Sequence, residues 1–279
     1  MRVQTKVMHS NKRLLDLVVI SDVHLGTYGC HASELSQYLK SIHPKTLVLN
    51  GDIIDFWQYS KRYWPTSHTK VFKRILQMMA DGTTIYYLTG NHDETLRKFC
   101  DTSLGNLHLA NKLVLELDGK KAWFFHGDVF DVTMKHSKWL AKLGAKGYDT
   151  LIVINSIVNY ISKKLGKGKI SLSQKIKNGV KGAVSFISDF EETAISIAKE
   201  RNYEYVICGH IHQPIIKKTD NVTYLNSGDW VENLTALEWN NGKWDLYKFN
   251  ELNVVKELEE IESMAPSFES LFQSIIYPS

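Results

Sequence analysis

The sequence predicts an α/β fold, and three observations predict it. Short apolar runs of strand length alternate with longer stretches whose apolar residues recur at helical spacing. Five of those runs stop on polar clusters: DVH at 22–24, GD at 51–52, GNHD at 90–93, HGD at 126–128 and GHIH at 209–212. The chain has 279 residues, 43% of them apolar, enough to bury one large core or a core with a smaller appended unit.

Residues 18–25, VVISDVHL, open the pattern. A strand that stops on Asp-x-His offers an oxygen and a nitrogen two residues apart, on the same side of a sheet. Residues 30–42 carry Leu35, Tyr38, Leu39 and Ile42 at helical spacing and stop before Pro44, as a helix should. Residues 47–49 form a second buried strand that stops at Asn50, Gly51 and Asp52. The loop 56–65 is aromatic and basic; it reads as packing over the sheet edge, with stacking on a substrate as the alternative. A helix over 66–80 and a third strand over 83–88 follow, the strand ending at Gly90, Asn91, His92 and Asp93.

Residues 107–125 alternate as two strands joined at Asp118 and Gly119, and the second runs into His126. Residues 205–208 repeat the arrangement before GHIH, where Cys208 reads as a small buried residue. Strands over 215–218 and 222–226 precede a hairpin, 235–239 and 243–249, turning at Asn240, Asn241 and Gly242. Residues 251–279, acidic and then aliphatic and aromatic, are expected to dock on the core as a helix.

The strand ends together offer Asp22, His24, Asp52, Asn91, His126, His210 and His212, all oxygen or nitrogen ligands and none sulfur. That set suffices for two adjacent divalent ions if one carboxylate bridges them, a device used to attack phosphate esters. So many imidazoles argue against magnesium, and the lack of thiolate leaves manganese, iron or zinc, with Mn(II) expected.

In order, spacing and placement these motifs resemble the calcineurin-like metallophosphoesterase superfamily over residues 13–250, apart from a basic insert. The resemblance implies a four-layer α/β/β/α sandwich. It implies one ion held by Asp22, His24, Asp52 and His212, and a second held by Asp52, Asn91, His126 and His210, with Asp52 as the bridge. It also implies a metal-activated water attacking phosphorus in line with the leaving group. His92 is then the candidate to steady the phosphoryl oxygens or protonate the leaving oxygen, and Asp93 the candidate to orient His92 by a hydrogen bond.

Between Thr133 and Ser188 eleven lysines face a single acid, Asp149, so this segment carries +10 in a chain of net charge +4. Residues 131–188 are expected as a helical lysine-rich cap inserted into a core made of 1–130 and 189–250, with 251–279 as the tail. Leu151, Ile154, Val158, Ile161 and Leu165 give the cap an apolar stripe. An apolar helix pair rimmed by lysines suits acyl chains beside an anionic bilayer; the alternative is a solvated hairpin packed on the core. The insert has no Arg and few aromatics among its lysines, so no specific nucleic acid partner is expected.

The insert, GDIIDFW at 51–57 and NSGDWVEN at 226–233 resemble one branch, the UDP-2,3-diacylglucosamine diphosphatases of lipid A biosynthesis. That branch implies a nucleotide-linked lipid substrate cleaved to UMP and a lipid monophosphate by a cytoplasmic bacterial enzyme peripherally bound to the inner membrane. Asp131, Ser173, Lys175 and Lys177 fall where substrate contacts would lie. One departure stands out: the branch carries Arg where this chain has His92, while His is usual in the wider superfamily. Another phosphodiester, including a nucleic acid, is therefore the alternative substrate.

Cys30, Cys100 and Cys208 lack paired spacing, which suits a reducing compartment. The N-terminal apolar segment contains Asp16 and no small-residue cleavage site, so no secretory signal is expected. The longest apolar stretch, 151–161, is too short to span a bilayer as one helix.

Overall fold

Strand β1 (Arg13–Ile20) pairs in parallel with β2 (Ile42–Asn50), and helix α1 (Ala32–Ser41) makes the crossover between them. Helix α2 (Thr66–Ala80) makes the next crossover, to β3 (Thr84–Leu88). These belong to a computed structural model that describes residues 12–57, 63–132 and 177–250. β1, β2 and β3 are covered on both faces, which is why their sequences are continuous apolar runs.

The chain continues through β4 (Thr102–Leu104), β5 (Leu107–Ala110), β6 (Lys112–Leu117) and β7 (Lys120–Phe125) to α3 (Lys177–Glu200). It closes with β8 (Tyr205–Cys208), β9 (Ile215–Lys218), β10 (Thr223–Asn226), β11 (Thr235–Asn240) and β12 (Lys243–Lys248). Two sheets result, one in the order β12-β11-β1-β2-β3-β5-β4 and the other β6-β7-β8-β10-β9.

Alternation along the strands sorts the core into three apolar layers. Val18, Ile20, Leu47 and Leu49 face α1 and α2, meeting Leu35, Leu39, Val71 and Ile75. Leu17, Val19 and Val48 face the second sheet and meet Phe124, Ile207 and Leu225. On the far side of that sheet Phe125, Val206, Cys208 and Tyr224 receive Phe190, Ala194 and Ala198 of α3. The order is helix, sheet, sheet, helix, the four layers that the sequence resemblance implied.

The structure corrects three local expectations. Residues 107–125 are three strands rather than two, and the break at Asn111 carries the chain from the first sheet to the second. The apolar phase of Leu107 and Leu109 resumes at Leu113 and Leu115 with only Asn111 out of pattern, so periodicity did not separate the strands. β2 begins at Ile42 and includes Pro44, which stands opposite Leu15 before the pairing with β3 starts at Thr46, so its missing N–H costs no bond to β3. The expected boundary between 188 and 189 falls inside α3, one continuous helix. The hairpin turns at Asp118–Gly119 and Asn241–Gly242 both have two positive φ angles, as two-residue turns require. Residues 133–176, the tail 251–279 and loop residues 58–62 lie outside the described residues.

Candidate metal centre

The carboxyl ends of β1, β2 and β3 in one sheet and of β7 and β8 in the other converge, and the five loops that follow are tied by their backbones. Asp22 N donates to Gly51 O, and Val23 N and His24 N both donate to Asp52 O. Gly209 N donates to His126 O at 2.9 Å, and the Asn50 side chain donates to Phe125 O at 3.1 Å, joining the two sheets. Each central carboxylate spends one oxygen on a neighbouring loop: Asp52 Oδ1 accepts from His92 N at 2.8 Å, and Asp22 Oδ2 from His210 N at 3.0 Å.

The other oxygens face imidazoles. Asp22 Oδ1 lies 3.1 Å from His212 Nε2, and Asp52 Oδ2 lies 3.1 Å from His126 Nε2. Asp22, His24 and His212 form one group whose ligand atoms all lie within 4.8 Å of one another, and Asp52, His126 and His210 form a second. A third group, His24, Asp55 and His92, shares His24 with the first. Asn91 is half-buried at the site, and its Oδ1, sealed from solvent, receives no hydrogen bond.

Three features fit these residues to divalent ions. Asn91 Oδ1, Asp22 Oδ1 and His126 Nε2 are sealed from solvent, and none makes a hydrogen bond of acceptable geometry. Two ligands about 2.1 Å from a common ion stand about 3 Å apart, the spacing seen for both carboxylate and imidazole pairs. The donors are nitrogen and oxygen, suited to borderline divalent metals.

Backbone strain concentrates here as well. Asp22, His24, Asp52, His210 and His212 all have φ between 51° and 68°, a region that side-chain-bearing residues seldom occupy. Glycines make room: a Cβ on Gly51, at φ 85°, would stand 2.4 Å from the His126 ring, and one on Gly90 would stand 2.2 Å from Asp52 Oδ1.

Among the protein groups alone, burial pushes the Asp22 carboxyl up, but His212 and His126 pull it down to about 2. Asp52 is held well below the usual carboxylate range, burial being overcome by His126, His24 and His92. Burial lowers His212 while Asp22 raises it, to about 9, and His126 is raised well above its ordinary value by Asp52 and Asp22 against its burial. His126 Nδ1 stands 2.9 Å from the Asn50 carbonyl, which can only accept; Nδ1 therefore carries the proton and Nε2 faces Asp52.

The carboxylate beside His92 is Asp55, which sequence reasoning missed. Its buried Oδ2 lies 2.7 Å from His92 Nδ1 and 3.2 Å from His24 Nδ1. The signal was present in GDIIDFW, where a second acid follows Asp52 by three residues. Asp93, expected to orient His92, instead accepts hydrogen bonds from Tyr87 Oη, Gly90 N and Ile53 N, so it pins the loop rather than the imidazole. Burial and the nearby Asp52 raise its carboxyl.

Trp57 lies against His92, ring centroids 4.5 Å apart, and is half-exposed; Trp64 stacks on Phe72 of α2. Asp131 lies in a short 3-10 turn, Asp128–Val132, and Lys177 opens α3, while Ser173 and Lys175 lie outside the described residues. A cavity of about 440 Å³ lies away from the site, against Tyr205, Trp239 and Trp244.

The family profile described as Calcineurin-like phosphoesterase matches residues 15–214. The chain belongs to that family. As a calcineurin-like phosphoesterase it is a metal-dependent hydrolase of phosphate esters, and the family implies a two-ion centre for which the two triads are candidates. A UDP-2,3-diacylglucosamine hydrolase of Aliivibrio fischeri is 25% identical over 246 residues, covering 84% of this phosphoesterase and 98% of the relative. A protein of the same name from Wigglesworthia glossinidia brevipalpis is 25% identical over 253 residues, covering 85% and 96%. Among the described residues of this phosphoesterase no helix is long and apolar enough to cross a membrane.

Proposed function

We propose that this phosphoesterase cleaves the diphosphate of UDP-2,3-diacylglucosamine to UMP and a lipid monophosphate, at the inner membrane surface of a bacterium. The observation that carries this reading is the match to hydrolases of that name along almost their whole length. The proposed ligands are Asp22, His24, Asp52 and His212 for one ion and Asp52, Asn91, His126 and His210 for the other, with Mn(II) in both positions. When bound, two such ions supply Lewis acidity toward a phosphoryl group and lower the pKa of water.

The chain's own residues supply the rest. Asp55 pairs as a charge with His92 at Nδ1, 2.7 Å away, which leaves Nε2 for a phosphoryl or leaving oxygen. Burial lowers His92, but Asp55 and Asp52 outweigh it and raise the imidazole above its ordinary value, which favours the protonated form that can give a proton to the departing oxygen. That capacity makes His92 a working substitute for the Arg of the resembling branch. Trp57, lying against His92, offers an apolar wall to whatever enters. The lysine-rich insert, 131–188, serves as the cap over the acyl chains, with Asp131, Ser173, Lys175 and Lys177 as substrate contacts.

The test is hydrolysis by the full-length protein loaded with Mn(II), followed by phosphorus NMR and thin-layer chromatography. UDP-2,3-diacylglucosamine should yield UMP and a lipid monophosphate. Intact lipid alongside rapid cleavage of a simple phosphodiester or of DNA would reject the substrate. Sedimentation with anionic vesicles, weakened by salt and absent with neutral vesicles, is the expected sign of membrane-surface action.

A further inference from the structure

His212 is gripped from two sides by one turn, the NSGDWVEN segment between β10 and β11. Its backbone stands at φ 52°, and its carbonyl accepts from Asn233 Nδ2 at 3.0 Å. Its imidazole lies between two buried carboxylates. Nε2 is 3.1 Å from Asp22 Oδ1, and Nδ1 is 3.8 Å from Asp229 Oδ2.

Asp229 is fully buried, and its two oxygens have different occupations. Oδ1 accepts the backbone N–H groups of Val231, Glu232 and Asn233, the ordinary work of an Asx turn. Oδ2 accepts only Asn233 Nδ2 among those donors and turns its remaining side to His212 Nδ1. The three backbone N–H groups need an acceptor but no charge, so an Asn oxygen would satisfy them. What a carboxylate adds is a negative charge facing an imidazole nitrogen. The next residue of the turn, Trp230, donates its N–H to Asp22 O at 3.1 Å, so the same segment also sets Asp22.

We propose that Asp229 is a positioning residue for His212, keeping the proton on Nδ1 so that Nε2 is presented beside Asp22, while Asn233 holds the His212 backbone. Asp55 stands behind His24 in the same way but hydrogen-bonds Nδ1 at 3.2 Å, while Asp229 acts on His212 at 3.8 Å, as a facing charge from a loop far along the chain. A buried acceptor behind a ligating imidazole fixes the ring and raises its basicity, and losing it commonly costs 10- to 100-fold in metal affinity. The inference rests on the two-ion reading of the site.

Full-length protein stripped by a chelator is titrated with Mn(II) by calorimetry, as wild type and as Asp229→Asn, with circular dichroism to confirm the fold. The variant keeps the acceptor for the three backbone N–H groups and loses the charge facing Nδ1; because Oδ2 also accepts from Asn233, Asn233→Ala is titrated beside it and should cost less metal affinity than Asp229→Asn. One of the two ions should bind about 10- to 100-fold more weakly while the other keeps its affinity. Wild-type affinity for both ions in a folded variant overturns the inference, and so does equal weakening of both. Independently of whether the variant folds, nitrogen-15 histidine NMR of the zinc-loaded wild type should show His212 ligating through Nε2 with Nδ1 protonated; ligation through Nδ1 overturns it. Wild-type protein that binds fewer than two ions would defeat the two-ion reading instead, and the His212 resonance would still decide the role of Asp229.

Discussion

Asp55 Oδ2 stands 2.7 Å from Nδ1 of His92, with the carboxylate 1% exposed, so the imidazole that borders the metal centre is held by a charge that water does not screen. His92→Ala should lower kcat by about 100-fold or more on a substrate with a poor leaving oxygen, and far less on a nitrophenyl ester, whose leaving group needs no proton. Asp55→Asn should reproduce that contrast and in addition weaken Mn(II) binding by about 10-fold, because the same oxygen reaches His24. Steady-state kinetics on the two substrates, with a metal titration, separate the two effects.

Asp52→Ala and His126→Ala should each abolish turnover and lower the metal content, since both belong to one triad and Asp52 also holds the His92 backbone. Elemental analysis beside an activity assay checks this, and retained turnover in either variant refutes the two-ion centre.

Metal loading should release protons at neutral pH. Without an ion His212 is raised to about 9, burial opposing and Asp22 prevailing, so at pH 7 its imidazole is charged. An ion requires a neutral ring. Affinity should therefore rise with pH through neutrality toward about 9, with on the order of one proton released from His212 per chain near pH 7. Calorimetry in buffers of different ionisation enthalpy counts the protons; binding that ignores pH between 6 and 8 contradicts the assignment.

Gly51→Ala should cost stability of about 2 kcal/mol or more, since φ is 85° and the new Cβ would stand 2.4 Å from the His126 ring. The displaced ring should weaken metal binding beyond what the fold loses. Thermal unfolding with and without Mn(II) measures both: the variant should lose most of the metal-induced rise in Tm.

The sequence by itself determined the strand-helix alternation, the five strand ends and the identities of seven candidate ligands, because each of these is local. Apolar period and turn residues act within a few positions, and a polar cluster after a buried strand has few places to go. Tertiary structure alone decided which sheet each strand joined. Residues 107–110 and 112–117 share one alternating pattern, yet Asn111 divides them between two sheets. It also decided which carboxylate serves which imidazole. Asp93 adjoins His92 in the chain but turns to Tyr87 and two backbone N–H groups, while Asp55 and Asp229 reach their histidines from other loops. A charge acts through distance in space, and that distance is set only once the sheets have packed and brought their strand ends together.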